Sequence, residues 1–208
     1  MNVVVFGATG RTGRHIVERA LGHGHAVRAF VHANPLGERR ERLTTVTGDV
    51  RDFEAVSSAV EDMDAVAFAL SQGSGAAPDI HEAGIANVIH AMAAGNVARL
   101  AAVSAAGTFA RGDRRLSLAY RALMATTMRP VYDDLEAMEL RVMASAFEWT
   151  IVRPVGLTDE PASGHYRLSR DGSLLAKAKR ISRADVAALV VKALETDTFV
   201  RRAVVIAQ

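Results

Sequence analysis

Short apolar runs alternate with stretches of helical spacing along almost the whole chain. Val3-Val-Val-Phe6 is β-branched and too short for a helix, so it predicts a strand buried on both faces. From Arg14 onward Ile16, Val17, Ala20 and Leu21 fall on one helical face, and Gly22 supplies a stop. Ala26 to His32 reads as strand two, with Arg28, Phe30 and His32 on one face. Pro35 and Gly37 break it, and Glu38 to Leu43 reads as a charged helix or loop. Strand three is expected at Thr44 to Gly48. Asp52 caps a helix through Val60 that buries Phe53, Val56 and Val60. Strand four follows at Ala65 to Leu70, then a Gly/Ser-rich loop to Asp79, a helix from Ile80 to Ala94, and strand five at Leu100 to Ser104.

Residues 105 to 129 are the least regular and carry Arg111, Arg114, Arg115, Arg121 and Arg129. Pro130 suits the first turn of a helix running to about Ala146, and Trp149 to Pro154 is strand six. Residues 155 to 180 read as loop with a short strand near His165 to Leu168. Ser182-Arg-Ala-Asp185 is a capping box for a helix from Val186 to Leu194, before a last strand at Ala203 to Ile206. This alternation predicts an α/β fold: one doubly wound parallel sheet with helices on both faces, filling residues 1 to 208 as a single domain, with a small C-terminal substrate-side segment.

The first strand runs straight into Gly7, Gly10 and Gly13, and these into the first helix. That order is what a dinucleotide fingerprint needs, although the spacing is G-x-x-G-x-x-G. Gly7 takes the tight turn, Gly10 lets main chain approach a pyrophosphate, and Gly13 lets helix and strand pack closely. The helix N-terminus offers free N–H groups and a positive dipole end.

Totals narrow the classes. A net charge of +2 over 208 residues is near balance and speaks against a nucleic-acid partner. No apolar run approaches the length of a membrane helix, so no membrane partner is expected. The absence of cysteine removes disulfides, thiolate metal sites and cysteine nucleophiles. With a strand starting at residue 3 no secretory segment is expected, and the location expected is cytoplasmic. His23 and His25 are read as exposed turn residues, and no metal site is expected.

The segments GATGRTG (7–13), TGDVRD (47–52), Asn87-x-Ile-x-Ala-Met92, Glu139 through Phe147-Glu-Trp-Thr-Ile-Val-Arg-Pro154 and Ile181-Ser-Arg-Ala-Asp-Val186 together resemble the atypical short-chain dehydrogenase/reductases. Within them the chain is similar to the NAD(P)-binding group of NmrA-like proteins and small flavin/biliverdin-IXβ reductases, which share the Rossmann fold. The resemblance implies a pyrophosphate loop of Gly7, Thr9, Gly10, Arg11, Thr12 and Gly13. It implies Asp49 and Val50 beside the adenine, and Leu70 and Ser71 along the ribose and diphosphate. Ser104 and Ala105 then lie near the nicotinamide, with Pro154, Val155 and Gly156 on its other side.

The chain also departs from that family. Counting back from Glu139 puts Leu135 at the usual catalytic lysine and Val131 at the usual tyrosine. Tyr132 is one place off, with the acid Glu136 four residues later. A carboxylate would raise a tyrosine pKa where a lysine lowers it, so Tyr–Lys proton transfer is not expected. The flavin reductase branch carries a serine where Ala105 stands and a histidine where Gly156 stands; Ser104 is the substitute. His81, Tyr120, Tyr132 and His165 remain as acid–base candidates.

The expected activity is hydride transfer from a nicotinamide to a flavin, quinone or similar electron-poor acceptor. The alternatives are a non-catalytic dinucleotide sensor and a biosynthetic ketoreductase or isomerase. NADP(H) is expected over NAD(H), because His32, Ala33 and Asn34 put no carboxylate at the end of strand two, while Arg11, Arg28, Arg39 or Arg40 offer charge to a 2′-phosphate. The partner is a small molecule, anionic if the arginines of 105 to 129 hold it. The assembly expected is a monomer or small homo-oligomer.

Overall fold

The structure is a computed structural model that describes residues 1–33, 40–71, 77–110, 113 and 118–208. Strand β1 (Asn2–Phe6) is followed by α1 (Arg11–Gly22), β2 (Ala26–Val31), β3 (Leu43–Thr47), α2 (Phe53–Val60), β4 (Ala65–Phe68), α3 (Ile80–Ala94) and β5 (Arg99–Val103). After these come α4 (Leu118–Ala125), α5 (Arg129–Ala144), β6 (Glu148–Pro154), β7 (Gly156–Thr158), β8 (Arg167–Ser169), β9 (Arg180–Ser182), α6 (Arg183–Glu195) and β10 (Arg202–Ala207). The main sheet has the order β3-β2-β1-β4-β5-β6-β10-β8. Every pairing in it is parallel except β8 against β10, so the expectation of a parallel sheet fails only at that edge. The order reverses between β1 and β4, and the crevice of such a sheet opens there, above the carboxyl ends of the strands.

Two cores sandwich the sheet. Alternate residues of β1 divide them: Val3 and Val5 pack on the α1/α6 side, Val4 and Phe6 on the α2/α3/α5 side. All four are fully buried, which is why this strand reads as a continuous apolar run. Phe6 meets Phe30 at 4.8 Å between ring centroids, fixing β2 against β1.

Several expected boundaries move for identifiable reasons. α1 begins at Arg11 rather than Arg14, because Gly10 is extended (φ −66°, ψ 161°) and serves as the N-cap. Phe53 is 39% exposed rather than buried; α2 turns Val56, Ala59 and Val60 inward instead. Ser182 Oγ caps α6 by accepting from Asp185 N–H at 3.0 Å. Asp185 does not close the box: its carboxylate takes the N–H groups of Ser163 and Gly164 at 3.0 and 2.9 Å, strapping the substrate-side segment to α6. That segment contains β7 and β9, paired parallel in a small second sheet that its sequence does not announce. The breaks at Pro35 and Gly37 and the arginines 39, 111, 114 and 115 lie outside the described residues.

His23 and His25 are more than turn residues. Their Nδ1 and Nε2 lie 2.9 and 2.8 Å from Glu195 Oε1, clasping the end of α1 to the end of α6.

Candidate functional site

The carboxyl edge of the sheet is shaped first by backbone contact. A Cβ at Gly7 (φ +78°) would stand 2.4 Å from the Ala69 carbonyl oxygen, and one at Gly13 would stand 2.0 Å from that of Gly7. Both glycines are therefore demanded by packing of turn, β4 and α1. Gly10 is less crowded: its nearest neighbours would be Gly7 O at 3.1 Å and Ser71 Oγ at 3.8 Å. Arg14 Nε donates to Thr9 O at 3.0 Å and pins the loop. The first turn of α1 carries no acidic side chain, and its cap has no side-chain hydrogen bond. Its leading N–H groups and dipole end thus remain for an anion arriving over Gly10. A dinucleotide fits this cradle.

At the far side of the crevice Asp49 accepts from Arg51 N–H at 2.9 Å and from its guanidinium at 3.1 and 2.7 Å. Those bonds hold its carboxyl down at about 2. Val50 is buried, and its carbonyl accepts from Asn87 Nδ2 of α3 at 3.0 Å, which explains the asparagine of the Asn87 motif. Gly84 of α3 leaves room for both Val50 and Leu70. Ser71 is exposed just past β4, and His32 is exposed just past β2.

Among the described residues, the arginines expected around a 2′-phosphate have other partners. Arg28 donates to the carbonyls of Ser58, Ala59 and Glu61, closing the C-terminal end of α2 at 3.2, 3.1 and 2.7 Å. Arg40 pairs with Glu18 at 2.6 Å. Arg11 reaches Asp159, just beyond β7, at 3.3 Å. A cavity of about 230 Å³ opens at the opposite edge of the sheet among Asn2, Arg28, Arg42 and Asp62. Arg42 there donates to Gly24 O at 2.9 Å, so both of its guanidiniums serve backbone carbonyls and the phosphate-binding geometry belongs to the glycine loop.

Around β5 and β6 the edge is organised by buried charge. Glu139 of α5 is wholly buried; Arg153 Nε approaches its two oxygens at 3.1 and 3.0 Å, and Arg153 Nη2 completes the fork. Ser104 Oγ donates to the same carboxylate at 2.5 Å and lies 3.2 Å from Thr108 Oγ1. The Glu139…Arg153 spacing seen in the sequence is thus an ion pair across the α5–β6 interface, and Ser104 is part of it. Ala105 is half-buried and Pro154 buried, with Ala106 N–H bonding Pro154 O at 2.9 Å to extend the β5–β6 pairing. Val155 is half-buried beyond it. A Cβ at Gly156 would meet Lys179 O at 2.7 Å, so pairing of β7 with β9 leaves no room for the histidine of the flavin reductase branch.

Leu135 joins the core, as a lysine at that place could not, and Val131 packs beside it. Tyr132 is 4% exposed, and its ring and hydroxyl crowd Gly107, with the Met124 side chain of α4 close by. The register thus departs from the family, yet this phenol does reach the loop after β5. His81 is buried; its Nδ1 lies 2.6 Å from Asp134 of α5, whose carboxylate also accepts the N–H groups of His81 and Glu82 at 3.0 and 2.8 Å. Asp134 therefore caps α3 from a neighbouring helix, a role no local spacing signals. His165 is exposed, and the Tyr120 side chain lies outside the described residues.

A doubly wound sheet with a glycine cradle at its switch point and no carboxylate at the end of β2 defines a nucleotide-binding Rossmann protein. The chain belongs to the NAD(P)H-binding family, whose model matches residues 7–197. An uncharacterized sugar epimerase, YhfK, of Bacillus subtilis is 26% identical over 98% of this chain and 92% of its own length. A Rossmann-fold NAD(P)-binding family protein from Shigella flexneri is 25% identical with a TM-score of 0.75, covering 100% of this chain and 93% of that one. A short-chain dehydrogenase/reductase from Veillonella parvula in complex with NADP shares the fold at 18% identity and a TM-score of 0.83, covering 100% and 94%. An anaerobillin reductase, ChuY, from Escherichia coli O157:H7 does so at 21% and 0.76, covering 100% and 97%. Among the described residues no helix is long and apolar enough to cross a membrane.

Proposed function

We propose that the protein is a reductase that takes NADPH and passes hydride to a flavin, a quinone or another electron-poor acceptor. The observation that carries this reading is Leu135, buried in the core where the family's catalytic lysine would stand. Without that lysine the tyrosine mechanism has no means of lowering a phenol pKa, so acceptors that need no protein proton are favoured. The nicotinamide, when bound, supplies the hydride.

The chain's own residues bind and orient. Gly10 and the first turn of α1 hold the diphosphate, Asp49, Val50 and Leu70 line the adenosine half, and Ser71 the ribose. Ser104, Ala105, Pro154, Val155 and Gly156 bound the nicotinamide end. Ser104 donates its proton inward to Glu139, so its part is to fix the floor of the site. Tyr132 and Met124 cover the loop after β5 and help exclude water. The preference for NADPH is supported by His32 at the end of β2 with no carboxylate beside it at position 33; Arg28 and Arg11 no longer add to it.

The test is NADPH and NADH consumption across flavins, quinones and carbonyls, with Tyr132→Phe alongside. The expected result is faster turnover with NADPH, flavin or quinone as acceptor, and Tyr132→Phe within a few fold of wild type. An inactive Tyr132→Phe would restore tyrosine acid catalysis, normally worth on the order of 10² or more. Binding without consumption of any acceptor would make the sensor reading the better one.

A further inference from the structure

Two arginines meet on one carboxylate beside the glycine loop. Asp159 Oδ1 receives Arg183 Nη1 at 2.6 Å, and Oδ2 receives Arg11 Nη1 at 3.3 Å. Each arginine is the first residue of its helix, α1 or α6, where the dipole disfavours a cation. Arg183 is moreover buried, a placement that needs a counter-ion. The two arms differ. The Arg183 side chain is 8% exposed and its contact short, whereas the Arg11 side chain is 73% exposed and its contact long. Exposed pairs of the second kind add little to folding and exchange partners readily. In the strand leading to Asp159, Thr158 Oγ1 is buried with no hydrogen-bond partner among the described residues.

We propose that Asp159 is a displaceable counter-ion for Arg11: it stays on Arg183 and yields Arg11 to the diphosphate of an incoming dinucleotide. Arg11 then exchanges one long contact with a carboxylate oxygen for a charge-assisted fork on phosphate. Asp159 thereby sets cofactor affinity from the substrate-side segment, and unties that segment from the glycine loop when cofactor enters. This rests on dinucleotide binding, which the family supplies, and not on hydride transfer.

The experiment is calorimetric binding of NADPH and of inorganic pyrophosphate to wild type, Asp159→Asn, Arg11→Ala and the double variant, with melting temperatures recorded for each. Asp159→Asn is expected to tighten both ligands roughly three- to fivefold, the worth of one exposed ion pair that no longer competes for Arg11. In the Arg11→Ala background that gain should shrink to less than twofold. A folded Asp159→Asn that binds NADPH no more tightly than wild type overturns the proposal, as does a gain that survives Arg11→Ala. Should Asp159→Asn melt early because Arg183 is stranded, Asp159→Asn with Arg183→Gln removes both charges together. NADPH should then bind no more weakly than to wild type, and a loss beyond threefold overturns the proposal. A wild type that binds no dinucleotide refutes the reading of the glycine loop itself, a different failure from an unresponsive Asp159.

Discussion

Gly7 and Gly13 stand against backbone so closely that a Cβ would come within 2.4 and 2.0 Å of a carbonyl oxygen, while Ser104 stands in a cluster of Glu139, Thr108 and Arg153. Both places lie at the carboxyl edge of one sheet. The first is specified by the absence of side chains over seven residues. The second is specified by side chains from β5, α5 and β6, nearly fifty residues apart. The glycine half is locally encoded and shaped by sterics; the nicotinamide half is assembled by tertiary structure and shaped by electrostatics. Substitutions should separate the two.

The largest effect is expected within the glycine half, between Gly13 and Gly10. Gly13→Val drives a side chain into the Gly7 carbonyl and should prevent folding, visible as loss of the cooperative thermal transition. Gly10→Val meets only the edge of Gly7 O and Ser71, so the protein should fold while NADPH affinity falls roughly a hundredfold or more. A folded Gly10→Val that binds dinucleotide tightly would show all three glycines to be structural.

In the nicotinamide half the corresponding change is Glu139→Ala, which strands Arg153 in the α5–β6 interface. Removing one member of a buried pair costs about 3–5 kcal/mol, so urea unfolding should shift accordingly. NADPH binding to the fraction still folded should weaken far less than in Gly10→Val, since the diphosphate cradle is untouched. Equal losses of affinity in the two variants would erase the distinction between the halves.

The same contrast explains what could be read without the fold. β1, the glycine turn and α1 announce themselves within about twenty residues, because buried-strand periodicity, glycine sterics and helix spacing are all local. Asp49, Val50, Leu70 and Pro154 entered through the family resemblance, and they stand at or just past the carboxyl ends of β3, β4 and β6, where ligands of such sheets sit. What escaped was long-range. Asp134 capping α3, Asp159 between two arginines and the β7–β9 sheet join residues far apart in sequence. Arg28 misled for the same reason: a sequence shows its charge but not which carbonyls it will meet. The Glu139…Arg153 pair was in view as a motif, and two opposite charges in otherwise apolar segments were the signal of an ion pair.

A smaller effect probes that long-range wiring at Asp134, which is 5% exposed between α3 and α5. Burial alone would raise its pKa, but the hydrogen bonds from His81 Nδ1 and from the N–H groups of Glu82 and His81 outweigh it, and the net shift is downward. A carboxyl lowered on folding contributes stability that is present above its unfolded value of about 3.9 and is lost as pH falls through the folded value. Asp134→Asn should therefore cost about 1–2 kcal/mol at neutral pH, the usual worth of a helix cap, because an amide accepts on one side only. The difference from wild type should narrow below about pH 4, where wild type begins to lose the same charge. Urea melts of both proteins at neutral and acid pH give the comparison. NADPH affinity at neutral pH should fall far less than in Gly10→Val, since Asp134 bonds His81 and Glu82 of α3 and not the glycine loop. A gap that stays constant down to acid pH would mean that Asp134 acts through shape rather than charge, and that α3 does not depend on a carboxylate from α5.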